Sequence, residues 1–222
     1  MASALDICNA ALAHIGQRRI VASIDPPEQS VEAEYCALFW PLVRDETLAS
    51  HTWSFATARV TLADLSASAP PPSAFTYTYA LPAECLKFIA VRESMAEDDT
   101  VNKNCRLGMA DDGRAVIYTN VETAVGVYVS SAARVANYPP LMVWAQEFML
   151  ASRLATPIVK GTEGMRLSDS LLQKGVAYLE QARMADANQS RQRGVTDPTD
   201  YKASWLNVRG VEEPDLPRII RE

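Results

Sequence analysis

The sequence predicts a mixed α+β protein that is mainly helical: an antiparallel helical bundle with an inserted small antiparallel β-sheet and an extended C-terminal arm. Apolar residues recur about every 3.6 positions near both ends of the first 187 residues, and they alternate with polar residues in the middle. From Asn188 onward neither pattern persists. The predicted divisions are 1–52 with 138–187 for the bundle, 53–137 for the β-rich insertion and 188–222 for the arm.

The first predicted helix begins at a capping box. Asp6 follows Ser3 at the spacing at which each side chain bonds the other residue's backbone N–H. Gly16 is the residue type that ends helices, because glycine adopts the left-handed backbone conformation at little cost. A short amphipathic helix is expected between them, with its apolar side at Leu5, Cys8, Leu12 and Ile15.

The second helix is predicted to begin at Asp25, where a capping carboxylate is followed by two prolines and a glutamate. Pro41 lies inside this helix and removes one backbone hydrogen bond, so we expect a kink or break near Trp40. The predicted apolar face contains Val31, Tyr35, Leu38, Leu42 and Leu48.

After Trp53 the pattern becomes alternating, which is typical of strands with one buried face. The residues at 66–74 form a proline-rich loop, and Asp112 with Gly113 predicts a hairpin turn. A small antiparallel sheet is expected. Its candidate strands are 54–63, a short strand containing Tyr77 and Tyr79, 86–91, 105–109, 114–119 and 124–131.

Two long helices are predicted to follow and to pair antiparallel. Pro139 and Pro140 are typical of a helix start, Gly161 and Gly164 mark a tight turn, and the second helix extends to about Ala187. Their apolar positions are Leu141, Trp144, Phe148, Leu150 and Leu154 in the first helix, and Met165, Leu172, Val176 and Leu179 in the second.

No motif for catalysis or cofactor binding stands out. The sequence lacks a phosphate-binding G-x-x-x-x-G-K-[ST] or G-x-G-x-x-G loop and a G-x-S-x-G elbow, and His14 and His51 lie in no triad pattern. The four cysteines are far apart, without metal-ligand spacing, so neither a zinc site nor a disulfide is expected. We expect no enzyme activity, catalytic residue, cofactor or bound metal.

The net charge of −6 is distributed unevenly along the chain. Residues 188–222 carry six basic and six acidic side chains, so the whole excess belongs to residues 1–187. An acidic body does not favour tight DNA binding. Trp205 and Leu206 are costly to leave in water, so the arm is expected to dock on a partner, or else to pack on the body.

Neither a membrane span nor a secretory signal is expected. No window approaches the roughly 18 apolar residues that a membrane helix needs, and the start MASALDICNA lacks the basic flank of a signal peptide. The default prediction is a cytoplasmic protein.

Several motifs, taken in order, resemble a known family. The start A-L-D-I-C-N-A-A-L-A-H-I-G, the segment R-D-E-T-L that precedes a tryptophan and F-A, and Y-A-L-P-A-E-C-L are similar to tailed-bacteriophage head-to-tail adaptors of the tail tubular protein A type. The likeness covers nearly the whole chain, and the 98–104 segment and the proline-rich loop fit it least well. The matching segments are 4–16, 23–25, 36–56, 79–86, 115–119 and the region of Trp205.

The resemblance implies a structural virion protein, made in the host bacterial cytoplasm and located at the capsid vertex. Copies of the chain would form a ring, commonly a dodecamer, that joins the portal protein to the tail or nozzle protein. DNA would pass through the lumen without specific binding. Twelve copies would carry a charge of about −72, which would repel DNA phosphates from a lumen of the same sign.

The expected portal contacts lie in the arm, because aromatic and arginine side chains dominate interfaces. Within the body, Arg44, Asp45 and Trp53 belong to the family-like segment and are expected to be structural. The portal contacts expected are Arg191, Arg193, Trp205, Leu206 and Arg209.

Two alternatives stay open. A head-completion connector of a long-tailed phage would share the assembly role but differ in partners and copy number. A virion-associated peptidoglycan hydrolase would need paired carboxylates across a cleft, for which adjacent acids such as Asp111 and Asp112 give the only support.

Overall fold

The first helix follows the predicted capping pattern. A computed structural model of the chain describes residues 2–19, 23–95 and 104–192. In α1 (Ala4–His14), Ser3 Oγ accepts the Asp6 N–H at 3.1 Å, and the Asp6 carboxylate accepts the Ser3 N–H at 2.9 Å. Gly16 has φ +73° just beyond the helix. The capping box and the glycine stop are both confirmed.

Helix α2 (Val31–Ala49) begins later than predicted. Its cap is Ser30, whose Oγ accepts the Ala33 N–H at 3.2 Å, so the predicted start at Asp25 is wrong. The helix also continues through Pro41 without a break. One absent N–H can be tolerated here because packing of the helix on its neighbours supplies most of its stability.

The β region contains two sheets, not one. The first has the strand order β1-β6-β3 and the second β2-β5-β4, and all pairs are antiparallel. The period-two pattern identifies strands but not their partners, because alternation determines only which side of a strand is buried. The strands are β1 (Thr57–Thr61), β2 (Tyr77–Ala80), β3 (Cys85–Arg92), β4 (Cys105–Met109), β5 (Ala115–Thr119) and β6 (Val125–Ser130).

The predicted turn between β4 and β5 is confirmed. Met109 pairs with Ala115, and Gly113 adopts φ +84°, a conformation that is strained for other residues. Asp112 accepts the backbone N–H of Arg114 at 3.0 Å. The local turn chemistry therefore determines this hairpin.

Two small hydrophobic clusters stabilise the sheets. One joins both sheets through Leu62, Tyr79, Val91, Ile117 and Ala124. The other packs the proline-rich loop on the second sheet and consists of Ala69, Ala110 and Val116, flanked by Leu65 and Tyr118.

Helices α3 (Pro140–Val159) and α4 (Gly161–Gln192) pack antiparallel, as predicted. Lys160 and Gly161 connect them with φ values of +60° and +65°. The helices approach closely at Gly175, where an added Cβ would lie 2.6 Å from Met149 Cγ and 3.0 Å from Met149 N. Near the turn, Gly164 lies against the carbonyl of Ala155.

The predicted fold class, a mainly helical bundle with one inserted sheet, is wrong. The described residues contain four α-helices and two three-stranded sheets, with 46% helix and 20% strand, a mixed α+β fold. α1 and α2 each pack mainly on α3. The main core joins these helices to α4 and to Val129 of β6.

The predicted apolar faces of α2 and α4 are largely outside this core. Val31, Leu38 and Leu42 of α2 are exposed, and so are Met165, Leu172 and Val176 of α4. Each helix has a second apolar face, which combines small residues with large ones such as Trp40 of α2 and Leu171 of α4, and the small residues allow close helix contacts. Of the predicted positions, Leu48 of α2 and Leu179 of α4 are buried in the core. The buried residues of α2 are Ala33, Cys36, Trp40, Val43, Thr47 and Leu48.

The chain divides into two compact units, 1–186 and 187–222. Of the second unit the structure describes only the end of α4, which continues to Gln192, beyond the predicted helix end near Ala187. The rest of the predicted arm lies outside the described residues.

Candidate functional site

The family-like segment lies at the C-terminal end of α2. Arg44 Nε donates to Asp45 Oδ1 at 2.8 Å, and the pair is partly exposed. The next residue, Glu46, accepts a 2.6 Å bond from Arg153 of α3. Exposed ion pairs of this kind contribute about 0–1 kcal/mol each to the free energy of unfolding, so they add little to stability.

Below this surface lies a buried polar network. Thr47 Oγ1 donates to Val43 O and accepts from Gln146 Nε2 of α3, both at 2.9 Å. Trp53 is fully buried, and its Nε1–H donates to Thr47 O at 3.0 Å. Trp53 therefore supplies a hydrogen-bond donor to one of the last carbonyls of α2, which otherwise lack partners within the helix.

A buried carboxylate connects α4 to the same region. Asp186 is 5% exposed and accepts from Ser54 Oγ at 2.6 Å and from Ser54 N at 3.2 Å. His51 Nε2 lies 3.4 Å from Asp186 Oδ2, and its ring makes an edge contact with Trp53. Specific hydrogen bonds thus fix the segment that leaves α2 to the end of α2 and to α4.

Hydrogen bonds within the fold also hold the nucleophilic side chains of Ser54 and Cys8. Ser54 donates its hydroxyl proton to the Asp186 carboxylate and not to a histidine, so the contact differs from the serine–histidine pair of hydrolase triads. The Cys8 thiol hydrogen-bonds with Cys36 and is buried, and both effects raise its pKa, which disfavours the reactive thiolate. In the described ranges, no group of three or more His, Cys, Asp or Glu residues is placed to hold a metal ion.

An aromatic ladder connects α1, α3 and α4. His14 stacks on Phe148 with ring centroids 4.3 Å apart, Phe148 stacks on Tyr178 at 5.4 Å, and Trp144 meets Tyr178 edge-on. Burial raises the pKa of Glu147, and the nearby His14 partly offsets that rise. The ladder contributes packing between three helices, and its outer member, Trp144, is exposed.

The predicted portal contacts are only partly within the described residues. The backbone of Arg191 is in the last turn of α4. The remaining predicted contacts are outside the described part of the chain: Arg193, Trp205, Leu206 and Arg209. The predicted structural residues Arg44, Asp45 and Trp53 all lie at the C-terminal end of α2, where Trp53 bonds to Thr47.

Sequence reasoning did not identify three members of the buried network: Thr47, Gln146 and Asp186. A usable signal existed for the last two. Gln146 and Asp186 are polar residues on the buried faces of long helices, and buried polar groups need partners. Thr47 is likewise a polar residue on the buried face of α2, but the predicted apolar face of α2 lay on the opposite side, so its burial was not expected.

Comparisons with known proteins assign the chain to no family. No protein-family model matches the chain, and no curated protein matches it. Within the described segments, no helix is both long and apolar enough to cross a membrane.

Proposed function

We propose that this chain is a noncatalytic virion adaptor, copies of which form a ring between a portal protein and a tail or nozzle protein. The observation that carries the proposal is the ordered series of family-like motifs between residues 4 and 119, with a further motif around Trp205. No single motif is specific, but their order and spacing extend over nearly the whole chain.

The contacts of the family-like R-D-E-T-L segment support a structural role for it. It ends α2, and the buried Trp53 that follows bonds back to Thr47 within the segment. Arg153 of α3 binds Glu46 on its surface. These contacts fix the end of α2 against Trp53 and α3, and an assembly protein needs the same local geometry in every copy.

The distribution of charge supports passage of DNA without capture. The net charge of −6 belongs to residues 1–187, and the remainder of the chain is neutral. An acidic ring repels phosphates, whereas a neutral arm docks on a partner without that repulsion.

Purification with the portal protein of the same phage tests the proposal. The full chain is expected to bind the portal and to give a complex whose mass corresponds to a closed ring, with copies counted in electron micrographs. Trp205→Ala combined with Arg209→Ala is expected to remove binding, because both proposed anchors are lost. Trp144→Ala removes an exposed tryptophan of the body and serves as the matched control.

The alternatives give different results in the same preparation. Failure of the wild-type chain to bind any portal contradicts the adaptor role, and full binding by the Trp205 and Arg209 double variant contradicts the arm as the docking segment. Clearing of a peptidoglycan suspension by the purified chain would favour the hydrolase. A ring that binds a portal but has another copy number and a different distal partner would favour the long-tailed connector.

A further inference from the structure

Helix α2 has an exposed apolar stripe directly opposite its buried face. Val31, Leu38 and Leu42 are 60%, 57% and 54% exposed. Tyr35 lies among them and is half-buried. Residues at these spacings lie along one side of a helix, so they form a continuous strip over about 16 Å.

Helix α4 has a second exposed stripe beside its buried face. Met165, Leu172 and Val176 are 55%, 44% and 45% exposed. Their spacing along the helix is the same as that of Val31, Leu38 and Leu42, so the two stripes have equal length and pitch. The stripes differ at the position four residues after their first member, which is Tyr35 in α2 and Asp169 in α4.

We propose that the α2 stripe of one copy packs against the α4 stripe of a second copy. Large apolar strips on a folded surface are costly in water and mark contact sites. A twofold dimer uses one patch twice and would leave the other stripe exposed, whereas a head-to-tail contact covers one stripe of each kind at every junction. This inference deepens the proposed function and rests on it for closure of the ring.

The charges of the two helices favour α2 packing on α4 over α2 packing on a second α2. Residues 31–42 of α2 carry two glutamates and no basic side chain, a net charge of −2, whereas residues 165–176 of α4 carry Arg166, Asp169 and Lys174, a net charge of +1. Bringing two α2 helices together would therefore place like charges against each other, but α2 against α4 would not. The second copy's α4 is the electrostatically favoured occupant.

Two double variants of the full chain test the pairing. Leu38→Lys with Leu42→Lys disables the α2 stripe, and Leu172→Lys with Val176→Lys disables the α4 stripe. Each variant alone is expected to sediment as a monomer at concentrations where the wild type associates, with at least about a 100-fold weaker association constant. Leu107→Lys with Met109→Lys changes two exposed apolar residues of β4 and is expected to leave association unchanged.

Mixing the two stripe variants in equal amounts gives the decisive measurement. Each partner retains the stripe that the other lacks, so one intact α2–α4 contact can form and a heterodimer is expected. If either stripe variant still associates by itself, or if the mixture stays monomeric, the head-to-tail contact is wrong. A monomeric wild type, or loss of association in the β4 control, also overturns it.

Two further measurements, the melting temperature of each variant and its portal binding, distinguish loss of the contact from misfolding and from failure of the proposed function. If a lysine variant has a lowered melting temperature, the milder Leu38→Gln with Leu42→Gln, or Leu172→Gln with Val176→Gln, replaces it and must give the same mixing result. Self-association through the stripes without any portal binding would contradict the proposed function while retaining this contact. Portal binding without stripe-dependent association would contradict the contact alone.

Discussion

The Asp186 carboxylate of α4 accepts hydrogen bonds from both the hydroxyl and the backbone N–H of Ser54, a residue 132 positions earlier in the chain. The oxygen atoms are 2.6 Å apart at the shorter contact. A buried carboxylate with two donors from one residue fixes the position of that residue more strictly than a single bond does. The start of the β region is thus held by the far end of α4.

Asp186→Asn is expected to lower the free energy of unfolding by about 1.5–3 kcal/mol, because hydrogen bonds to a charged group are lost or weakened. Equilibrium denaturation measures the loss. Asp169→Asn, at an exposed site on the same helix, is expected to change stability by less than about 0.5 kcal/mol. Equal effects of the two substitutions would contradict a specific role for the Asp186 contact.

The Thr47 and Gln146 pair predicts a nonadditive result. Thr47→Val leaves the buried Gln146 amide without its partner and is expected to cost about 1–3 kcal/mol. Gln146 Oε1 already lacks a hydrogen-bond partner among the described residues. Adding Gln146→Met removes the orphaned amide, so the double variant should be more stable than Thr47→Val alone. Simple addition of two losses in a denaturation cycle would contradict this.

Gly175→Ala tests how closely α3 and α4 approach each other at Met149. Alanine ordinarily stabilises a helix interior by about 1 kcal/mol relative to glycine. Here the new methyl group would lie 2.6 Å from Met149 Cγ, so a net loss of about 1–3 kcal/mol is expected. Gln173→Ala, at an exposed site of α4, provides the matched control in thermal unfolding. A gain in stability for Gly175→Ala would show that the helices lie further apart.

Tyr138 predicts a stability change at high pH. Burial raises its pKa from 10.0 to about 12. Below about pH 10 its contribution to stability is complete, and as the pH rises to about 12 the unfolded chain loses the phenolic proton first, so stability is lost. The difference between wild type and Tyr138→Phe, measured by denaturation across this range, should follow that loss. A constant difference would mean that the Tyr138 hydroxyl is not buried as described.

Sequence patterns predicted the features that depend on neighbouring residues. The Ser3–Asp6 capping box, the strand at 105–109 and the turn at Asp112 and Gly113 are all determined by nearby side-chain and backbone chemistry. Which strands pair was not predictable in this way. β1 pairs with β6 and β2 with β5, and the residues between them contain no local signal for those choices.

The buried faces of α2 and α4 show a different limit. Both helices have apolar residues on two sides, so periodicity alone could not select the buried side. The core uses the side that places Ala33 of α2 and Gly175 of α4 beside large residues such as Trp40 and Leu171, so that small residues allow close approach where large ones fill the space. The exposed residues Leu38 and Leu172 were therefore assigned to the buried surface.

The candidate site was predictable in part. Trp53 stood out because a tryptophan ends the family-like segment, and it is indeed fully buried. Its partner atom is the backbone oxygen of Thr47, which no side-chain pattern reveals. The contact of Ser54 with Asp186 requires the tertiary fold, because it joins residues that are 132 positions apart in the sequence.

The unequal sizes of the hydrophobic clusters have a mechanical consequence. Five buried residues join the two sheets and three more hold the proline-rich loop, whereas the helices share a much larger cluster. Regions with fewer buried contacts open at lower free energy. Amide protons in β4 and β5 should exchange with solvent earlier than those in α3, and under tension these strands should extend while the helices persist. The strands β4 and β5 are therefore expected to open before the helical part of the chain does.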